Sequence, residues 1–235
     1  MALAVSEPTG PDFLAAAGSS DTGFTLPDPE PGASIAPDPA TLGPLTDENG
    51  NVIAQAQVAQ RSGEASLWTS SVPGVPDVTI SGSRSFRSAV SAQLDTLAGT
   101  ATGRAQLSQL GSAARNAPIY VMEGEANLSG VFRNDSGRIT GNAVVLDSRY
   151  AGNPNGASFR QQDGTVIPMP MYVIIGHELG HLNGIYTGAN RAEGAAPYSD
   201  VFDREENRVI RDVENPLRRE AGLPPRTQYY GNFQY

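Results

Sequence analysis

The chain contains no cysteine among its 235 residues. Neither a disulfide nor a thiolate metal ligand can contribute to it, and its redox compartment is left open. It also contains no lysine; all 16 basic residues are arginine. A GC-rich genome favouring arginine codons accounts for this, and so does avoidance of the lysine amines to which ubiquitin is joined; charge chemistry alone requires neither. No run of eighteen apolar residues occurs, so no segment is expected to span or insert into a membrane. The first residues lack a basic stretch followed by a long apolar core, so a Sec-type signal peptide is not expected. Base is scarce as well. The net charge is −9, and the first basic residue is Arg61, preceded by eight acids. From there on 17 acids face 16 bases. Nothing in that distribution forms an electrostatic footprint for nucleic acid or anionic lipid.

What is present suits one well-packed domain with a tail, at 39% hydrophobic and 17% charged residues. Residues 1–64 are expected to be disordered. Eight of the 18 prolines lie between Pro8 and Pro44, mixed with Gly, Ser, Asp and Ala, and the apolar residues show no period. Such a segment cannot bury enough surface to offset its ordering entropy. It is either a tail without a role or a secretion or docking segment. Residues 65–235 carry the patterns of a folded domain. Val78–Ile80, Ile119–Met122 and Ile139–Leu146 read as strands, with turn chemistry at Asn134–Gly137. Phe86, Val90, Leu94 and Leu97 recur at helical spacing over 85–97, ended by Gly99; a second short helix is expected over 104–114. Tyr172–Tyr186 reads as a helix, and so does Asp203 to about Glu220, with Gly222 and Pro224-Pro225 as stop signals. Val144-Val145-Leu146 suits either a sheet edge, to which an extended substrate adds as a strand, or an interior strand.

The chain has only two histidines. Both fall in His177-Glu178-Leu179-Gly180-His181, an H-E-x-x-H motif. Residues four apart lie one above the other on a helix, so two imidazoles at this spacing can share one Zn²⁺. Glu178 projects alongside, where a general base meets a metal-activated water. Gly180 costs about 0.5–1 kcal/mol relative to alanine in a helix interior, which close packing of another element would justify. A catalytic zinc usually takes a third protein ligand. With no further histidine and no cysteine it must be a carboxylate. The extended H-E-x-x-H-x-x-G-x-x-H pattern holds through Gly184 and fails at Thr187, so three histidines are excluded. Glu193, Asp200, Asp203, Glu205, Glu206, Asp212, Glu214 and Glu220 all lie downstream, and spacing alone does not choose among them. A small sheet, a buried motif helix and a C-terminal helical segment, after a disordered tail, define the expected fold: α+β, zincin-like.

Two further stretches resemble known families. Glu205-Glu206-Asn207-Arg208-Val209-Ile210 resembles the E-E-x-R-T-F segment of clostridial neurotoxin light chains, and Arg226-Thr227-Gln228-Tyr229 their R-x-x-Y element. Residues 214–226 (ENPLRREAGLPPR) resemble the E-N-x-x-R-x-E-x-G-x-P-x-R segment of NleD-type bacterial effector metalloproteases. Together the resemblance spans about Tyr172 to Tyr229, and it implies the following. Glu206 is the third zinc ligand and Glu205 an orienting acid. Arg226 and Tyr229 stabilise the transition state, with Tyr230 adjacent as the substitute for Tyr229. The chain is a secreted zinc endopeptidase, delivered into a target cell as an effector or toxin. Its substrate is a host signalling kinase or a competitor's protein, and a secretion chaperone or an immunity protein accompanies it. The alternative is a catalytically silent adaptor that binds a host protein through its acidic N-terminal segment; an intact Glu178 argues against it.

Overall fold

In the computed structural model, the described residues are 42–47, 50–53, 64–114, 117–189, 198–227 and 231–234. All lie in one unit, residues 33–235. Its centre is a mixed sheet of six strands: β1 (Leu45–Thr46), β2 (Ala65–Trp68), β3 (Val78–Ser81), β4 (Ile119–Gly124), β5 (Leu128–Arg133) and β6 (Ile139–Asp147). The order across the sheet is β1-β5-β6-β4-β3-β2. β3, β4 and β6 run parallel, and the outer pairings are antiparallel. The crossover from β3 to β4 is made by α1 (Arg84–Gly99) and α2 (Ala101–Ala113). Ser83 caps the first helix by accepting from the Phe86 N–H, and Thr100 caps the second by accepting from the Gly103 N–H.

Alternation along the strands sorts side chains between the two sheet faces. Val78, Ile80, Val121, Val131, Val144 and Leu146 join Phe86, Val90, Leu94, Leu97, Leu107 and Leu110 in the main core. Tyr120, Met122, Phe132, Ala143 and Val145 form a second cluster with Leu45 on the other face. β6 therefore buries both its faces, which is why its sequence reads as a continuous apolar run. It lies between β5 and β4, so Val144–Leu146 is an interior strand and not an edge. A second difference concerns the N-terminal boundary. Leu45–Thr46 falls within the segment expected to be disordered, yet it pairs with Val131 and Phe132, and Leu45 is buried.

The motif helix α3 (Met171–Thr187) packs on the main-core face, and Gly188 ends it in the left-handed conformation at φ 72°. α4 (Tyr198–Val209), a π-helical turn (Ile210–Glu214) and α5 (Asn215–Glu220) form one continuous arm beside it. A separate antiparallel sheet of β7 (Ser158–Gln161), β8 (Val166–Pro168) and β9 (Gly231–Gln234) is ordered β8-β7-β9. The chain is thus α+β, as its element pattern implies.

Candidate metal centre

Two glycines bring the arm onto the motif helix. A Cβ on Gly176 would collide with Leu217 Cδ1, and one on Gly180 would lie 2.9 and 3.0 Å from methyls of Val209 and Val213. Val209, Val213 and Leu217 thus fit the groove that Gly176 and Gly180 open. Arg208 fastens the same contact by donating to the Gly180 carbonyl at 3.1 Å.

That approach brings Glu206 to the histidines. His177 Nε2 lies 3.2 Å from Glu206 Oε2, His181 Nε2 3.2 Å from Glu206 Oε1, and the two Nε2 atoms are 3.1 Å apart. Ligands at 2.0–2.1 Å on a tetrahedral ion stand about 3.3 Å from one another. The three side chains are therefore spaced as three corners of such a site, and they form a group able to hold a metal ion.

The other side of each ring explains which nitrogen faces inward. His177 Nδ1 lies 3.0 Å from Glu214 Oε2, and His181 Nδ1 lies 3.2 Å from Glu205 Oε1. A carboxylate at Nδ1 accepts its proton and turns the Nε2 lone pair toward the centre. Two such lone pairs and a carboxylate, converging at about van der Waals range, repel unless a metal ion or protons sit among them. This donor chemistry fits a divalent ion. The same carboxylates favour positive charge on the rings. Burial disfavours charge on both rings, but Glu206 and Glu214 on His177, and Glu205 and Glu206 on His181, outweigh it and push them up to about 9 and about 10. Burial raises the Glu206 carboxyl, yet the two imidazoles hold it far below the usual carboxylate range.

The orienting acids are themselves held. Arg208 donates to Glu205 from Nε at 2.7 Å and from a terminal nitrogen at 2.5 Å. Glu214, fully buried, accepts from Arg218 Nε at 2.8 Å and from Arg226 at 3.1 Å. Burial alone would raise its carboxyl, but His177, Arg226 and Arg218 bring it down to about 2. The π turn makes this possible. In an unbroken α-helix, residues eight apart are turned about 80° past two full revolutions. Widening one turn to i→i+5 reduces the rotation per residue. Glu206 and Glu214 then face His177 together, one at each ring nitrogen.

Other residues of the 214–226 segment hold this arm in place. Asn215 clamps the Arg226 backbone, donating to its carbonyl at 2.9 Å and accepting its N–H at 2.8 Å. Arg218 also donates to the Pro168 and Pro224 carbonyls and to Met169 Sδ. Glu220 caps α2 from afar, accepting the Ala101 and Thr102 N–H groups at 2.6 and 3.0 Å. Gly222 turns the chain at φ 67°.

Of the residues singled out from sequence, His177, Glu178, His181, Glu205 and Glu206 meet at one centre. Glu214, one of the candidate ligands, sits behind His177 at Nδ1 instead. Arg226 reaches the centre through Glu214, with its guanidinium 4.2 Å over the Phe159 ring. Tyr229 and Tyr230 lie outside the described residues. Glu178 is buried beside the pair; burial raises its carboxyl, while the imidazoles and a hydrogen bond from Ser129 on β5 draw it down. Ser129 is a contact the sequence reading missed, because β5 carries no clean alternation. No protein-family model, no curated protein and no solved structure matches the chain.

Proposed function

We propose that the chain is a zinc-dependent endopeptidase of zincin-like architecture, deployed as a secreted effector or toxin. The observation that carries the reading is the convergence of His177 Nε2, His181 Nε2 and Glu206 at 3.1–3.2 Å, beside the buried carboxylate of Glu178. His177, His181 and Glu206 would hold the ion. A zinc ion there supplies Lewis acidity to a substrate carbonyl and acidity to a bound water.

The chain's own residues supply the rest. Glu178 takes the water proton on its carboxylate and delivers it to the nitrogen of the leaving amine. Burial raises its proton affinity, which suits the second of those transfers. Glu205 and Glu214 keep both imidazoles in one tautomer through the cycle. The resemblance gives Arg226 and Tyr229 the role of donors to negative charge on the carbonyl oxygen; the contacts of Arg226 act on the centre through Glu214. An extended peptide is placed by β5. β1 pairs only with its Val131–Phe132 end, and among the described residues the Leu128–Ser129 end, next to Glu178, has no strand on its outer side. Delivery into a target cell, and a kinase or competitor protein as substrate, rest on the resemblance to NleD-type effectors.

The test is incubation of the purified chain with host or competitor lysate, mapping new protein N-termini against a Glu178→Gln control. N-termini that appear only with the wild type are expected. An identical set from both proteins removes the peptidase reading.

A further inference from the structure

The charged network around Glu214 does not end within the arm. Arg226 lies over Phe159 on β7, with its guanidinium carbon 4.2 Å from the ring centroid. One residue on, Thr227 donates its N–H at 2.8 Å and its hydroxyl at 3.2 Å to Gln161 Oε1, on the same strand. Phe159 and Gln161 are both buried. Two residues apart on a strand, they present the same face. That face holds both the side chain of Arg226 and the backbone that follows it. Arg226 in turn meets Glu214, and Glu214 meets His177 Nδ1. The chain's last strand joins the same element, since β9 pairs with β7 with Phe159 opposite Phe233 and Gln161 opposite Gly231. His181 has no part in this path; its Nδ1 is served by Glu205 and Arg208.

We propose that Phe159 and Gln161 are positioning residues for the metal centre, holding Arg226 against Glu214 and so fixing the ring of His177. This rests on the metalloenzyme reading above. Metal at His177 and docking of the C-terminal strand on β7 are then coupled, and coupling is reciprocal. Substitutions along this path should change zinc affinity roughly 2–30-fold.

The probe is Zn²⁺ alone, titrated into the full chain against a chromogenic chelator. Gln161→Met keeps the length of the side chain and removes the acceptor. Its zinc affinity should fall within that range. Gln161→Glu keeps an oxygen for both donors and should stay near wild type. Phe159→Leu, which keeps apolar volume and removes the aromatic face, should weaken zinc and serves if Gln161→Met does not fold. With only two histidines in the chain, ring ¹⁵N spectra of the zinc-loaded proteins provide the discriminating readout. The His177 resonances should move in both weakened variants while those of His181 stay. Zinc should also slow amide exchange at residues 231–234 in the wild type and less so in the variants. Folded variants with wild-type zinc affinity and unmoved His177 resonances overturn the proposal. So does equal displacement of both histidines, which marks general loosening. A wild-type chain that binds no zinc removes the metal reading itself, a separate result from either.

Discussion

Gly180→Ala tests how tightly the candidate metal centre depends on helix contact. By intrinsic propensity the change favours the helix by about 0.5–1 kcal/mol. The structure opposes it. The added methyl would stand 2.9 Å from Val209 Cγ1 and 3.0 Å from Val213 Cγ2, closer than carbon atoms pack. Valine is stiff about χ1, and in a helix it has one strongly preferred rotamer, so neither methyl can swing aside at low cost. Overpacking of this kind costs about 1–3 kcal/mol. The net effect is a loss of up to about 2.5 kcal/mol, or up to about 10 °C in Tm for a chain of this size. The expelled element is the arm that carries Glu205, Glu206 and Glu214, so zinc affinity should fall along with stability. Gly180→Ala combined with Val213→Ala removes one of the two clashing methyls and should recover part of the zinc affinity, while the lost burial of Val213 keeps stability low. Thermal unfolding with and without chelator, and zinc titration of the three proteins, read these effects. A Gly180→Ala protein as stable as wild type, with full zinc affinity, would refute the packing argument.

Glu178→Gln should retain zinc and the wild-type fold while turnover of an identified substrate falls by at least the 10²–10⁴ typical of removing a general base, as metal analysis and single-turnover assays will show. Glu214→Gln should weaken zinc binding about 10–100-fold, as loss of an orienting carboxylate does. It should also lower thermal stability markedly, because Arg218 and Arg226 lose a buried counter-charge. Glu220 is exposed and has its carboxyl lowered from 4.5; burial opposes the shift, and Thr102 and the Ala101 N–H outweigh it. Since the folded value lies below the unfolded one, its contribution is present above pH 4.5 and is lost as pH falls through the folded value. Glu220→Gln should therefore be less stable by about 0.3–1 kcal/mol at pH 7, with the difference closing in acid, as denaturant titrations across pH will reveal. A chain beginning at Ser62 lacks Leu45 and the β1 pairing. It should unfold at a lower temperature than one beginning near residue 33, by scanning calorimetry.

The parts of the fold legible in sequence are those whose signal is local. Phe86, Val90, Leu94 and Leu97 announce α1 by spacing, and all four are buried in the main core. The H-E-x-x-H pair reads directly as a shared ligand set. The need for a carboxylate follows from the missing cysteines and further histidines, but which carboxylate depended on resemblance. β5 was not legible, because Ser129, Gly130 and Arg133 interrupt its apolar residues; its place is set by pairing with β6. β7 carries an arginine and two polar residues in four positions and depends on partners distant in sequence. Whether Val144–Leu146 lay at the edge or inside was undecidable, because a strand with both faces covered looks alike in either place.

The π turn has a consequence for lineage. A one-residue deletion within 210–214 would leave Glu206 and the present Glu214 seven positions apart in an unbroken α-helix, a rotation of about 700°, about 20° short of two full revolutions. The two carboxylates would still share a face, so this is the one length change the arm absorbs. A second deletion would turn everything beyond it by about a further 100°. His177, Glu178, His181 and Glu206 would then all remain and the motif would read as intact, while Glu214, Arg218 and the clamp on Arg226 would point elsewhere. Among descendants of this chain, the interval from Glu206 to Glu214 should hold at seven or eight positions while the side chains between them vary.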